Sequence, residues 1–150
     1  MAETVRYEEL AGLLGRTFTS DWRRVTQDDV NLFAQATGDH QWIHLDVERA
    51  RRESPYGGTI AHGYFSLSLV PALLFETLQV TGAAAVLNYG ANKLRFPAPL
   101  PVGSRVRGVF TVAAVEPVSG GTQVTMSWFV EVEGGSKPAM AAEILFRWLT

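Results

Sequence analysis

The stretch Gly57-Gly-Thr-Ile-Ala-His-Gly-Tyr-Phe-Ser-Leu-Ser-Leu-Val-Pro-Ala-Leu-Leu-Phe-Glu-Thr-Leu78 decides the fold. From about His62 onward its apolar residues keep to no single face, and a helix that is apolar all round must be surrounded by protein. The charges agree, because Glu76 is the only formally charged residue between Ser54 and Asn92. The spacing therefore predicts one long central helix from His62 to Leu78. Pro71 lacks an N–H, forfeits one helical hydrogen bond and should bend it.

Downstream of Gly82 the character changes to four β-rich runs, near Ala84 to Phe96, Arg105 to Val115, Gln123 to Glu133 and Ala139 to Leu149. Pro97 to Gly103, Pro117 to Gly121 and Gly134 to Pro138 separate them as Pro/Gly-rich turns, and short turns imply antiparallel neighbours. Upstream, Thr17 to Val25 reads as a strand. Thr26-Gln-Asp-Asp29 then starts a helix that Gly38 should end just before Asp39, and Asp46 can cap a short helix through Arg52. The order is α+β: a curved antiparallel sheet wrapped around a buried helix, in a single domain spanning 1–150.

Composition narrows the function. The chain has 150 residues, a formal charge of -2 and no cysteine. Its near-neutral charge argues against a nucleic-acid binder, and no apolar stretch is long enough for a membrane span. The N-terminus shows no export signal, so the cytoplasm is the expected compartment. Between Thr77 and Val115 the charged residues are Lys93, Arg95, Arg105 and Arg107, two basic pairs at a spacing that places both members on one strand face.

The richest chemistry lies in Ala36-Thr-Gly-Asp39-His40-Gln-Trp-Ile-His44-Leu-Asp46. Asp39 and His44 would stand about 140° apart on a helix and on opposite faces of a strand, so they converge only in a loop. Paired there, a carboxylate and an imidazole can hold and deprotonate a water. Otherwise Asp39 is a turn residue and His44 a packed one. His40 and His44 also have the i, i+4 spacing of zinc ligands, with Asp39 or His62 as a third, but no His-Glu-x-x-His pattern is present and no metal is expected. Gly63 either allows close packing or bares a backbone N–H at the helix start, where an anion is stabilised.

Ala36-Thr-Gly-Asp39-His-Gln-Trp-Ile-His44, with Thr59-Ile-Ala-His-Gly63, Asn88-Tyr-Gly-Ala-Asn-Lys-Leu-Arg-Phe-Pro97 and Pro101-Val-Gly103, resembles the MaoC-like hydratases and dehydratases of the hot-dog fold, nearest the nodulation protein N-like branch. The resemblance implies an (R)-specific enoyl-CoA hydratase, or 3-hydroxyacyl-thioester dehydratase, of fatty-acid metabolism, acting as a homodimer without metal or redox cofactor. The family motif Asp-x-Asn-Pro-x-His puts its acid on Asp39 and its histidine on His44, and its oxyanion donor on the Gly63 N–H. Here Gln41-Trp42 replaces Asn-Pro, and Gln41 is the candidate substitute for the asparagine. Asp39 is expected to take the proton of water, and His44 to return one to C2. Trp42, Tyr64 and Phe65 are candidates for an acyl tunnel. Lys93 and Arg95, with Arg105 and Arg107, are candidates for the phosphates of an acyl-CoA, an acyl-carrier-protein thioester being the other substrate form. Alternatives are a hot-dog acyl-CoA thioesterase, a non-catalytic acyl-thioester binder, and a half-subunit of a larger enzyme.

Overall fold

A computed structural model describes residues 2–150. Its centre is an antiparallel sheet of β5 (Ala85–Arg95), β6 (Arg105–Val118), β7 (Gly121–Val132) and β8 (Met140–Leu149). Short β2 (Thr17–Thr19) extends it in the order β2-β6-β7-β8-β5, and β3 (Arg23–Arg24) also pairs with β6. Along β6, β7 and β8 alternate residues are buried, among them Val106, Phe110 and Val112, then Val124, Met126, Trp128 and Val130, then Ile144, Phe146 and Trp148. That period of two gives the sheet one apolar face.

The apolar face receives the central helix, which is two segments, α4 (Gly63–Ser68) and α5 (Val70–Thr77), joined at Leu69. The long central helix expected from sequence is thus present, interrupted beside Pro71 as its missing N–H implied. Leu69 keeps right-handed helical angles, φ -75° and ψ -18°, but Pro71 has no N–H to offer the preceding turn, and the segments part there. Val70, Leu73 and Leu74 are fully buried against the sheet. Gly108 makes this possible, since a Cβ there would lie 2.6 Å from Trp128 Cζ3 and 3.3 Å from Leu73 Cβ.

Three further departures have physical causes. The strand expected over Thr17 to Val25 splits into β2 and β3 at Ser20, which donates its N–H to Gly108 O at 2.9 Å and accepts the Gly108 N–H on its Oγ at 2.8 Å. β6 runs on through Pro117, where a turn was expected, because the hairpin needs only Ser119 and Gly120, the latter at φ 79°. A parallel pair had no expectation: β1 (Glu3–Arg6) lies beside β4 (Leu78–Thr81), which follows α5 directly.

Before the central helix come α1 (Gln27–Thr37), α2 (Trp42–Leu45) and α3 (Val47–Glu53). Thr26 caps α1, accepting the Asp29 N–H at 3.1 Å while Asp29 Oδ2 accepts the Thr26 N–H at 3.1 Å. Thr26→Ala is expected to cost about 1 kcal/mol, measured by urea unfolding, without moving the strand order.

Candidate active site

Local rules bring the chain to Asp39. Gly38 ends α1 at φ 85°, a left-handed conformation suited to glycine, and donates to Ala34 O at 2.8 Å. Asp39 therefore begins a loop. Its Oδ1 accepts from the Gln41 N–H at 3.4 Å and from Gln41 Nε2 at 3.3 Å. One turn of helix, α2, then carries His44, and Asp46 caps α3 by accepting the Arg49 N–H at 3.0 Å.

The loop makes Asp39 and His44 converge: Asp39 Oδ2 lies 4.0 Å from His44 Nε2. His44 is buried, and its Nδ1 lies 2.7 Å from Ile60 O. A carbonyl can only accept, so Nδ1 carries the hydrogen and the Nε2 lone pair faces the carboxylate. Two acceptors 4.0 Å apart cannot bond each other, but a water can donate one hydrogen to each.

The titrations favour the same state. Burial lowers the His44 pKa and the neighbouring His62 lowers it further, against opposing effects of Ile60 O and Asp39. For Asp39, burial acts upward, but the Gln41 hydrogen bonds and the imidazoles of His62 and His44 bring the pKa below the ordinary carboxylate value. At neutral pH the pair is a carboxylate beside a neutral imidazole. Gln27 and Thr59 support it, and nothing in their spacing announced this. Gln27 Nε2 donates to His44 O at 2.8 Å, and Thr59 Oγ1 donates to Gln27 Oε1 at 2.7 Å.

His62 lies beside the pair, stacked on His44 with centroids 3.8 Å apart and planes at 26°, and its Nε2 lies 2.9 Å from Asp39 O. Ligand atoms of Asp39, His44 and His62 fall within 4.8 Å of one another. His40, offered with His44 by the zinc spacing, is exposed and outside this cluster.

Gly63 follows as the first residue of α4. It lines a cavity of about 360 Å³ with His44, His62, Ser66 and Phe96. A Cβ on Gly63 would lie 2.8 Å from Phe96 Cδ2, so close packing is one reason for glycine here. Being first in a helix leaves its N–H without an intrahelical partner, so the two readings of Gly63 coexist. A larger cavity, about 450 Å³, lies by Trp22 and Phe129. Its ionisable lining is Arg107 and Glu131, bonded to each other, and Lys137, with no histidine.

Several candidates sit elsewhere. Phe65 is buried in the core, edge-on to Phe33 with centroids 5.6 Å apart, and does not line the His44 cavity. Trp42 lies under the Arg49 guanidinium at 4.1 Å, and Tyr64 is exposed beside Phe96. In the basic stripe, Arg105 and Arg107 share one face of β6 on either side of buried Val106, whereas the pair on β5 departs from its expected spacing. Register shifts in β5 and a left-handed Lys93, φ 53°, break the expected alternation between Lys93 and Arg95. Lys93 pairs with Glu143 at 3.4 Å, Arg105 with Glu133 and Arg107 with Glu131, while Arg95 donates to Lys93 O at 2.9 Å.

The family model described as MaoC like domain matches residues 10–133. The chain belongs to the MaoC-like dehydratase family. Among relatives of this MaoC-like chain, 3-hydroxyacyl-thioester dehydratase Z of Mycobacterium tuberculosis is 54% identical over 131 residues, 87% of this chain and 86% of that protein. Nodulation protein N of Rhizobium leguminosarum is 41% identical over 134 residues, 87% of this chain and 80% of that protein. The fold matches an unliganded R-hydratase from Pseudomonas aeruginosa at a TM-score of 0.76 and 25% identity, over 95% of this chain and 84% of that one. The MaoC-like domain is thus of the hot-dog type. Among the described residues no helix is long and apolar enough to cross a membrane.

Proposed function

We propose that this MaoC-like protein reversibly hydrates trans-2-enoyl-CoA to (R)-3-hydroxyacyl-CoA. The observation that carries the reading is the 4.0 Å gap between Asp39 Oδ2 and a His44 Nε2 left basic by its bond to Ile60 O. A water held there presents its oxygen to C3. As the C3–O bond forms, the alkene electrons move to the thioester oxygen, giving an enolate that the Gly63 N–H stabilises. The water proton passes to His44 Nε2 and then to C2, which restores the thioester.

This division of labour differs from the one expected from sequence, where Asp39 took the proton. Imidazole is the stronger base of the two, and neither group starts with a proton to give. Asp39 instead orients the water and offsets the transient imidazolium charge. The (R) configuration and the CoA carrier come from the family resemblance. The test is purified protein with crotonyl-CoA: loss of the enoyl absorbance supports hydration, whereas thiol release from a saturated acyl-CoA would point to a thioesterase.

The acyl chain is assigned a second cavity, about 390 Å³, one turn along the helix between Leu67, Ser68, Pro71 and Ala91, Ile144 and Phe146. Phe65 and Trp42 are not needed for it. Ala91→Phe is expected to lower kcat/KM for a C8 enoyl-CoA by about tenfold and to spare crotonyl-CoA, read in parallel chain-length assays.

The pH dependence follows from the two lowered pKa values. Activity requires unprotonated His44, so the acid limb of kcat/KM should fall below about 6.5, the ordinary imidazole value. Stability has the same sign: the unfolded chain binds protons that the folded state resists. The contribution of His44 is full above about 6.5 and is lost as pH falls toward its lower folded value. A Tm-against-pH series should show that loss in the wild type and less of it in His44→Gln. A homodimer belongs to the reading, since edge strand β5 leaves Leu87 and Tyr89 46% and 52% exposed.

A further inference from the structure

His62 is 3% exposed and stands at the junction of every part of the candidate site. It precedes Gly63, so its backbone sets where α4 begins. Its ring stacks on His44, centroids 3.8 Å apart, and meets Phe33 of α1 at 5.0 Å with the planes tilted by 56°. Its Nε2 is 2.9 Å from the Asp39 backbone carbonyl, which fixes Nε2 as the donor and Nδ1 as the bare acceptor. That Nδ1 is buried with no hydrogen-bond partner. Buried polar atoms are nearly always satisfied, and an unsatisfied one costs stability that an apolar side chain of similar volume would not. An imidazole kept under those terms is explained by what its other nitrogen and its face do, because stability given up locally is a mark of sites shaped by function.

We propose that His62 is a positioning residue that sets the separation of the proposed catalytic pair. Its Nε2–H holds the Asp39 main chain, and through it the carboxylate. Its ring face fixes the plane of His44, and through it the direction of the Nε2 lone pair. One side chain thereby ties the end of α1, the turn α2 and the entrance of α4 into a single spacing. His62 takes no proton and forms no bond in the proposed hydration. The inference rests on the hydratase reading for its kinetic consequence, while the anchoring of Asp39 stands on geometry alone.

Three variants separate the donor from the bulk: His62→Gln, whose side-chain amide reaches the place of Nε2–H; His62→Asn, whose amide stops short of it; and His62→Leu, which fills space and donates nothing. With crotonyl-CoA, His62→Leu and His62→Asn should lose about 10–100-fold in kcat with KM changed less than about twofold, and His62→Gln should recover most of the loss. Amide hydrogen exchange at Asp39 to Gln41 should quicken in the Leu and Asn variants and stay near wild type in Gln. The Tm of His62→Leu should not fall, because the orphaned Nδ1 goes with the lost bond. Equal kcat in the Gln and Asn variants together with unchanged exchange at Asp39 to Gln41 would overturn the proposal, and that comparison decides it even should His62→Leu fail to fold. Full activity in Asp39→Asn would instead overturn the hydratase reading, leaving the exchange data to judge the anchor.

Discussion

Asp39→Asn and His44→Gln are each expected to reduce the turnover of crotonyl-CoA by about 10²–10⁴-fold, the usual contribution of positioned acid–base groups. Both should fold. Asp39 spends its carboxylate on Gln41 in an exposed loop, its side chain 42% exposed, and an amide oxygen still accepts the Gln41 hydrogen bonds. The amide cannot orient water as an anion does, nor offset the charge on His44. His44→Gln fills much of the imidazole volume but places no basic nitrogen 4.0 Å from Asp39 Oδ2. Because the two residues hold one water, the double variant should be scarcely worse than the weaker single one. Steady-state assays of the four proteins check this. Multiplying losses would mean that the residues act separately.

Gly63→Ala carries the second large effect. The added Cβ would meet the Phe96 ring at 2.8–3.0 Å, too close for any real contact. Phe96 is 37% exposed, so its ring can swing outward, and the stability loss should stay near the low end of the ~1–3 kcal/mol typical of overpacking. The cavity then loses one wall, and the Gly63 N–H shifts from where the enolate forms. Misplacement of about 1 Å can cost on the order of 10² in rate, and that is the expected fall in kcat/KM. Phe96→Leu added to Gly63→Ala should restore part of both. Wild-type turnover in Gly63→Ala would remove the amide from the mechanism.

How much of this was legible in the sequence depended on range. The segment from His62 to Thr77 announced that it is mostly buried through its single charge, Glu76, and Pro71 announced the break at Leu69, because both are local properties. Gly38 likewise announced the loop at Asp39. β1 and β4 pair across half of the chain length, and each is only four residues long, so their ladder had no local signature. The β5 half of the basic stripe departed from expectation for a related reason. Spacing by two assumes regular pleating, and β5 shifts register between Asn88 and Gly90 and again between Asn92 and Arg95. Phe65 failed as a tunnel residue because an aromatic on a buried helix reads the same whether it faces ligand or Phe33. At the site, residue types gave Asp39 and His44, whereas Gln27, Thr59 and the role of His62 depend on tertiary hydrogen bonds.

The central claim is that one face of the substrate meets both Asp39 and His44. Hydration of crotonyl-CoA in D₂O, with the configuration of the product determined at C2 and C3, tests it most directly. The account predicts (R)-3-hydroxybutyryl-CoA with deuterium and hydroxyl added to the same face. Addition to opposite faces, or recovery of crotonyl-CoA unchanged, would contradict it.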